Sequence, residues 1–587
     1  MPSHRKRGAP ASPPGGDRPR RFRPRASLVF LALAVLAAGS AARAVPDDLA
    51  ARMQLSAGRL SQPDYGIEAI LAGRVEPDWP GDVPGRLILA WTELAEATGH
   101  APPQLAALVN GIPAALNADG YLGAALDLRA IDEQQLSGHG WLISGLCRYS
   151  AYSGDARPLA WVRRMIEQLA LPLRGSYRLY PRTPDDRNRL GQAGGRLTGR
   201  VLNGWKLSTD VGCSYIFLEG LVAAYRVMPS PELGQLIDEA GAAFLATDVV
   251  AVQAQTHASL CAVRNLLLYE EMTGFRHGWR PRIEAFYRVY RAQAMTENEA
   301  NWNWFGRPTW TEPCAIVDSF LLTMELWRVT RSPGYLEDAH RIFYNALGYG
   351  QKTDGGFGCD AFNRDGGLAL SNRHWDVPWC CNMRGVCGLA GAAAARADYA
   401  PAAGRLALPF YSDGRIQAGG WALTETTGWP LQGTVEVEGR RDGSPAAGLR
   451  SVAFFVPTEC PWPGVRIELD GRPVHGEWSN GFVTIALPPG AAAFTLRVTM
   501  PLPLSAAPPH NRATPADLVT LRYGYLVLGT PDGQTVAGLR VQDLRPLGDG
   551  RFELGRGGMV LAPLCEMPFS GATRDAPWRA QVLFRAE

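Results

Sequence analysis

The spacing of apolar residues changes character once along this chain. From about residue 60 to residue 400 they recur at helical intervals, and beyond that they alternate with polar residues in short runs. His139 to Gly154 illustrates the first texture, with Leu142, Leu146 and Tyr149 on one face at i, i+4 and i+7. Ser153-Gly154-Asp155 should stop that helix, because glycine accepts the left-handed cap conformation. A second helix follows at once with Leu159, Val162, Ile166 and Leu169 on its inner stripe. The same helix–stop–helix unit recurs at Thr98-Gly99-His100, Pro229-Ser230-Pro231, Thr273-Gly274-Phe275 and Arg331-Ser332-Pro333. Repeated helical hairpins build either an open solenoid or a closed ring of inner and outer helices. Short uniform turns would favour the solenoid. The loops here are long and rich in Trp, Asn, Arg and Gly, which favours the ring, an (α/α)6 barrel with its loops around one central pocket.

After about residue 400 the period is two. Thr434-Val435-Glu436-Val437-Glu438, Val465-Arg466-Ile467-Glu468-Leu469 and Phe494-Thr495-Leu496-Arg497-Val498 read as strands. Asp470-Gly471 and Asp532-Gly533 read as hairpin turns. The expected fold class is therefore mainly α with C-terminal β, a helical barrel over 45–403 followed by one or two β-sandwich domains over 404–587. A chain of 587 residues is too long for one ordinary core, which agrees with two or more domains.

Composition narrows the function classes. The net charge is +3, apolar content is ordinary and no basic patch stands out beyond the N-terminus, so neither a disordered chain nor a nucleic-acid partner is expected. The 17 tryptophans suit a sugar-binding cleft, where ring faces cover the C–H faces of a sugar, and they equally suit a large core. Arg5, Lys6, Arg7, Arg18, Arg20, Arg21, Arg23 and Arg25 precede an apolar run from Leu28 to Ala38 and the small-x-small site Ala42-Arg43-Ala44. Residues 1–44 thus read as a signal peptide, with Arg20-Arg21 admitting the twin-arginine route. The run is too short to span a bilayer and no other stretch is long enough, so no membrane span is expected in the mature chain. The expected location is periplasmic or extracellular. An oxidising compartment would permit disulfides among the ten cysteines, but Cys147, Cys213, Cys261 and Cys387 lie in apolar helical patterns that suit buried thiols.

Candidate chemistry concentrates at Thr311-Glu312-Pro313-Cys314 and Trp379-Cys380-Cys381-Asn382. Three sulfurs and one carboxylate oxygen make a set that tetrahedral zinc accepts. Spacing alone leaves two plain alternatives open, buried structural thiols or a vicinal disulfide. Thr311 is expected to cap a helix with Pro313 in its first turn, placing Glu312 and Cys314 where the helix dipole favours negative charge. Cys380 and Cys381 precede a second apolar helix. Just upstream, Glu297 and Glu299 share a loop with Trp302 and Trp304, and a carboxyl in an aromatic pocket would have the raised pKa of a general acid. Two further polar and aromatic loops run from Arg174 to Leu207 and from Asp354 through Cys359 to His374-Trp375.

From about His139 to Leu526 the sequence resembles the β-L-arabinofuranosidases of glycoside hydrolase family 127 and their relatives in family 146. The resemblance rests on Thr256-His257-Ala258 with the helix end Tyr269 to Gly274, on Thr311-Glu312-Pro313-Cys314-Ala315, on Tyr344-Asn345-Ala346 and on Cys380-Cys381. It extends through Phe455-Val456-Pro457 and Leu469-Asp470-Gly471 to Tyr523-Gly524-Tyr525-Leu526. It implies an (α/α)6 barrel with β-sandwich domains and a zinc ion held by Glu312, Cys314, Cys380 and Cys381. It further implies that Cys380 is the nucleophile of a retaining glycosidase, with Glu297, or Glu299 beside it, as acid/base. His257, and less directly His139, match residues that contact the sugar.

Trp302 and His374 are further candidate contacts on the loops. Where the family continues Pro-Pro-Asn after its cysteine pair, this chain has Asn382-Met383-Arg384, so Arg384 is a candidate to bind an acidic sugar. Cys359 and His374 are extra potential ligands. The expected substrate is an oligo- or polysaccharide. A non-catalytic carbohydrate-binding protein on the same scaffold, or a polysaccharide lyase, remains an alternative reading.

Overall fold

The computed structural model describes residues 49–187, 195–370, 376–442, 448–531, 533–534, 538–555, 558–566 and 578–585. Residues 1–44, expected to be a signal peptide, His374, Trp375 and the first residue of the Asp532-Gly533 turn lie outside the described residues, as does part of the 174–207 loop. Among the described residues, twelve α-helices of nine residues or more lie before Asp398, and strands dominate from Asp398 onward.

Six of those helices are buried almost all round. Asp82–Thr98 packs on Glu133–Ser153, which packs on Phe217–Val227, then Thr256–Met272, Pro313–Thr330 and Cys381–Ala395, and the last returns to the first. Their sequences explain the placement: an apolar residue stands on every face, so each helix needs neighbours all round. The other six carry one apolar stripe and lie outside. In Pro103–Ala115 the buried residues are Leu105, Leu108, Val109 and Ile112, one face of a helix. Arg157–Met165, Pro231–Leu245, Arg280–Gln293, Pro333–Ile342 and Leu49–Arg59 complete the outer set, each against one or two inner helices. Gly154 ends its helix with φ of 75°, as its place in the pattern predicts. At Gly85 the first two inner helices touch so closely that a Cβ would lie 2.2 Å from the backbone nitrogen of Leu142.

The C-terminal region is all-β. A six-stranded sheet (with Thr434–Arg441, Trp421–Thr427 and Ala493–Thr499 at its centre) and a five-stranded sheet (with Ser451–Phe455 and Arg405–Leu408) contribute to one apolar core. Val435, Val437, Leu496 and Val498 come from one sheet, and Leu406, Leu408, Val452 and Phe454 from the other. Asp470 and Gly471, at φ of 51° and 73°, join Arg466–Leu469 to Arg472–Pro473 in the expected two-residue hairpin.

A third sheet, built mainly from residues beyond 504, also takes in Ala361–Phe362 and Gly367–Leu370 from the helical half. The two halves are therefore stitched together. Asn345 donates to the carbonyl of Tyr525 at 2.7 Å and accepts from the N–H of Val527 at 2.6 Å. Among the described residues no helix is long and apolar enough to cross a membrane.

Candidate metal-thiolate site

Two neighbouring inner helices bring the cysteines together at their N-termini. Glu312 is the cap residue of Pro313–Thr330, with Pro313 in the first turn. The expected cap, Thr311, uses its hydroxyl elsewhere and accepts the N–H of Asp360 at 3.1 Å. Cys380 caps the helix that begins at Cys381. The sulfurs of Cys314, Cys380 and Cys381 all lie within 4.8 Å of one another. Cys314 is 3.7 Å from Cys381, and Cys380 is 3.5 Å from Cys381. A disulfide would bring two sulfurs to about 2.05 Å, so the vicinal-disulfide alternative is excluded here, and all ten cysteines are thiols.

The separations match a metal shell. Sulfurs bound tetrahedrally at about 2.3 Å stand about 3.8 Å apart. Burial pushes the Cys314 and Cys381 thiols well above their usual pKa, and the hydrogen bond to Cys314 does most to raise Cys380. Three thiols in one buried place resist ionisation, and a divalent cation is the partner that would reverse this. Glu312 stands outside the 4.8 Å set, but its carboxyl is buried and its Oε2 has no hydrogen-bond partner. Burial, then the nearby Asp210, push its pKa up to about 8. Three sulfurs and an unsatisfied carboxylate oxygen therefore fit zinc. Cys314 and Cys381 are fully buried and Cys380 half-buried, while Trp379 beside it is 42% exposed, so the cluster opens to solvent at Cys380.

A buried polar chain backs the thiols. Arg86 pairs with Asp82 at 2.6 Å, points Nη1 at Cys314 Sγ at 3.8 Å and lies over the Trp141 ring at 4.1 Å. Its Nη2 is 3.3 Å from His257 Nε2, and His257 Nδ1 is 2.7 Å from Asp318. Arginine can only donate, so Nε2 accepts and Nδ1–H donates to Asp318. His257 is the neutral tautomer, in keeping with a pKa lowered chiefly by burial. Asp318 also binds Arg384 and, at 3.5 Å, Arg264.

Several expected site residues are engaged elsewhere. Glu297 accepts from the N–H groups of Asn511 and His510 and from the Thr514 hydroxyl, and His510 Nδ1 is 3.0 Å away. Glu299 pairs with Arg522 at 2.7 Å. Burial alone would raise both carboxyls, but His510 and Arg522 respectively outweigh it and hold them below the usual range, the reverse of what a general acid needs. Both carboxylates face the C-terminal β region. Glu299→Gln should accordingly cost about 2–3 kcal/mol of stability, read as a lower melting temperature, with kcat little changed. A collapse of kcat at unchanged stability would put Glu299 back in the chemistry.

Trp302 is fully buried, donates to the Phe362 carbonyl at 3.0 Å and packs with Val527 and Leu564 against the third sheet. His139 is fully buried and satisfied, with Nδ1 bound to the Gln135 carbonyl and Nε2 accepting the N–H of Leu122. Arg384 is 2% exposed and committed to Asp318, which leaves it no free face for an acidic sugar. His257 lies near the thiols, with the Arg86 guanidinium between it and Cys314.

The pattern did not bring out Arg86, Asp82, Trp141, Asp318 or Asp210. A signal existed for two of these: Asp82 and Arg86 form an i, i+4 charged pair in the apolar first half of the helix Asp82–Thr98. Asp210 is buried, and burial first, then the charge of Glu133, raise its pKa to about 7.

No family model matches the sequence, and none of the curated proteins compared matches it. Solved structures do match. One described as a GH127 β-arabinofuranosidase superposes with a TM-score of 0.63 at 12% identity, over 93% of this chain and 96% of its own. A GH127 β-L-arabinofuranosidase from Geobacillus stearothermophilus T6 gives 0.61 at 14% identity, over 93% and 100%. The chain shares their fold. A third, described as a glycoside hydrolase, gives 0.60 at 15% identity, over 88% and 94%.

Proposed function

We propose that this protein is a retaining glycoside hydrolase that releases arabinofuranose-type sugars from glycans, with Cys380 as a zinc-activated thiolate nucleophile. The observation that carries the reading is the set of three sulfurs at two helix N-termini, with Cys380 alone among them open to solvent. The shared fold supports it, and the cyclic order of inner helices supports an (α/α)6 barrel around the site. Glu312, Cys314, Cys380 and Cys381 are the residues that would hold zinc. When bound, zinc supplies the charge that keeps the thiols ionised and orients that of Cys380. The N-terminal segment, as a signal peptide, would place the enzyme outside the cytoplasm.

In this mechanism the Cys380 sulfur attacks the anomeric carbon as the glycosidic C–O bond breaks. The departing oxygen takes a proton from a buried carboxyl. We assign that carboxyl to Asp210, which is buried, has its pKa raised to about 7 chiefly by burial, and raises that of Glu312 by its charge. The sugar is then held on sulfur as a thioglycoside. The Asp210 carboxylate deprotonates a water that displaces the sulfur, and two inversions give net retention.

Purified protein should carry about one zinc per chain and hydrolyse an aryl β-L-arabinofuranoside with loss of activity on chelation. Asp210→Asn should slow the release of poor leaving groups by roughly 100-fold or more while sparing good ones. Sugar binding without turnover would favour the carbohydrate-binding alternative, and unsaturated products that absorb ultraviolet light would favour the lyase.

A further inference from the structure

Arg86 reaches one of the three thiols and plays no part in the displacement at Cys380. It stands one turn into Asp82–Thr98 and is 5% exposed. Gly85 beside it lets that helix cross Glu133–Ser153 closely, since a Cβ there would lie 2.3 Å from the Trp141 carbonyl carbon. The guanidinium is thereby laid over the Trp141 ring, with Cζ 4.1 Å from the ring centroid. Its edges are taken up in turn. Nε donates to Asp82 at 2.6 Å, and Nη2 donates to His257 Nε2 at 3.3 Å. His257 is itself fixed, because its Nδ1–H donates to Asp318 at 2.7 Å and its ring stacks on Trp141 with the planes 6° apart. A planar fork held at these places has one direction left for Nη1, which points at Cys314 Sγ at 3.8 Å. Cys380 is the thiol at the open side of the same cluster.

We infer that Arg86 is a positioning residue that holds Cys314 as a standing ligand of the metal by donating to its sulfur, so that the three sulfurs of the centre are unequal. This rests on the zinc-thiolate reading proposed above. Three thiolates and a carboxylate carry more negative charge than a divalent ion cancels, and a buried cation against one sulfur offsets part of the excess. A charged N–H on a thiolate also draws on its lone pair and makes that sulfur a poorer nucleophile. Cys314 is thus tied from behind, while Cys380 keeps its electron pair for the sugar. Lysine cannot take over this part, because one ammonium cannot meet Asp82, His257 and Cys314 with the geometry of a planar fork.

Cobalt(II) in place of zinc gives a readout that does not depend on turnover, because each thiolate contributes to a sulfur-to-cobalt charge-transfer band in the near ultraviolet. A hydrogen bond to sulfur lowers its lone pair and so raises the energy of that band. Arg86→Met and Arg86→Lys should both keep the intensity of the band, which reports the number of sulfurs bound, and move it to longer wavelength. Competition with a chromophoric chelator should find zinc affinity lowered roughly 10- to 100-fold, the usual cost of losing a hydrogen-bond partner of a metal ligand. A folded variant whose band stays in place, with zinc affinity at the wild-type level, would overturn the inference and leave the enzyme reading standing. Failure of both variants to fold would also overturn it, and would make Arg86 a residue of the helix crossing instead. Wild type that binds neither cobalt nor zinc would overturn both readings.

Discussion

Cys380→Ser should reduce kcat on an aryl arabinofuranoside by on the order of 10^4-fold or more, while melting temperature and far-ultraviolet circular dichroism stay close to wild type. The residue is half-buried at the open side of the cluster and caps its helix through backbone geometry alone, so its sulfur holds little of the fold. The chemistry, however, runs through that sulfur. A serine hydroxyl stays protonated near neutral pH even beside a cation, and it is a far poorer nucleophile than a thiolate. Zinc content measured on the same sample separates loss of the nucleophile from loss of the metal. Cys381→Ser provides the contrast: its sulfur touches both other members of the cluster and is fully buried, so that variant should lose zinc along with activity. A Cys380→Ser protein that kept even a tenth of wild-type turnover would rule out covalent catalysis by this residue.

Period and punctuation made much of the fold legible. The change of texture near residue 400 matches a last helix ending at Ala395 and a strand beginning at Asp398. Gly154 and the Asp470-Gly471 pair take the positive φ values their positions require. The thiols were legible for a chemical reason, because a Glu-x-Cys and a Cys-Cys pair are rare combinations, each placed just before an apolar helix. Roles that depend on a distant partner were not legible. Nothing local to Glu297 or Glu299 reveals that His510 and Arg522, more than two hundred residues onward, will bind them. Trp302 has the look of a loop aromatic, and only the third sheet closing over it makes it core. Arg384 looked available for substrate because its partner, Asp318, lies on a different helix. An apolar pattern says which face turns inward, but not which buried charge waits across the ring.

That charge makes Asp318 the residue whose loss should cost the fold most. Its carboxylate is fully buried and serves His257, Arg384 and Arg264 together. Asp318→Asn would keep the shape and remove the charge, leaving Glu219 as the carboxylate that still meets Arg264 and stranding Arg384 over the Trp141 ring. Breaking a buried pair in this way costs about 3–5 kcal/mol, because the partner's charge remains desolvated. His257 would also lose the acceptor that fixes its tautomer, and with it the acceptor nitrogen that holds Arg86 beside Cys314. Stability and zinc retention should therefore fall together.

The pH dependence has a definite sign. Burial alone would raise the Asp318 pKa, but Arg384, then His257 and Arg264, outweigh it and hold the carboxyl far below its ordinary value. A carboxylate whose folded pKa is depressed stabilises the fold above its unfolded pKa of about 3.9, and that contribution is lost as pH falls through the folded value. Urea unfolding should thus show a constant gap between wild type and Asp318→Asn at neutral pH, narrowing as the pH drops below about 4. A gap that stayed unchanged in acid, or that was absent at neutral pH, would mean the Asp318 charge does not hold the centre of the ring together.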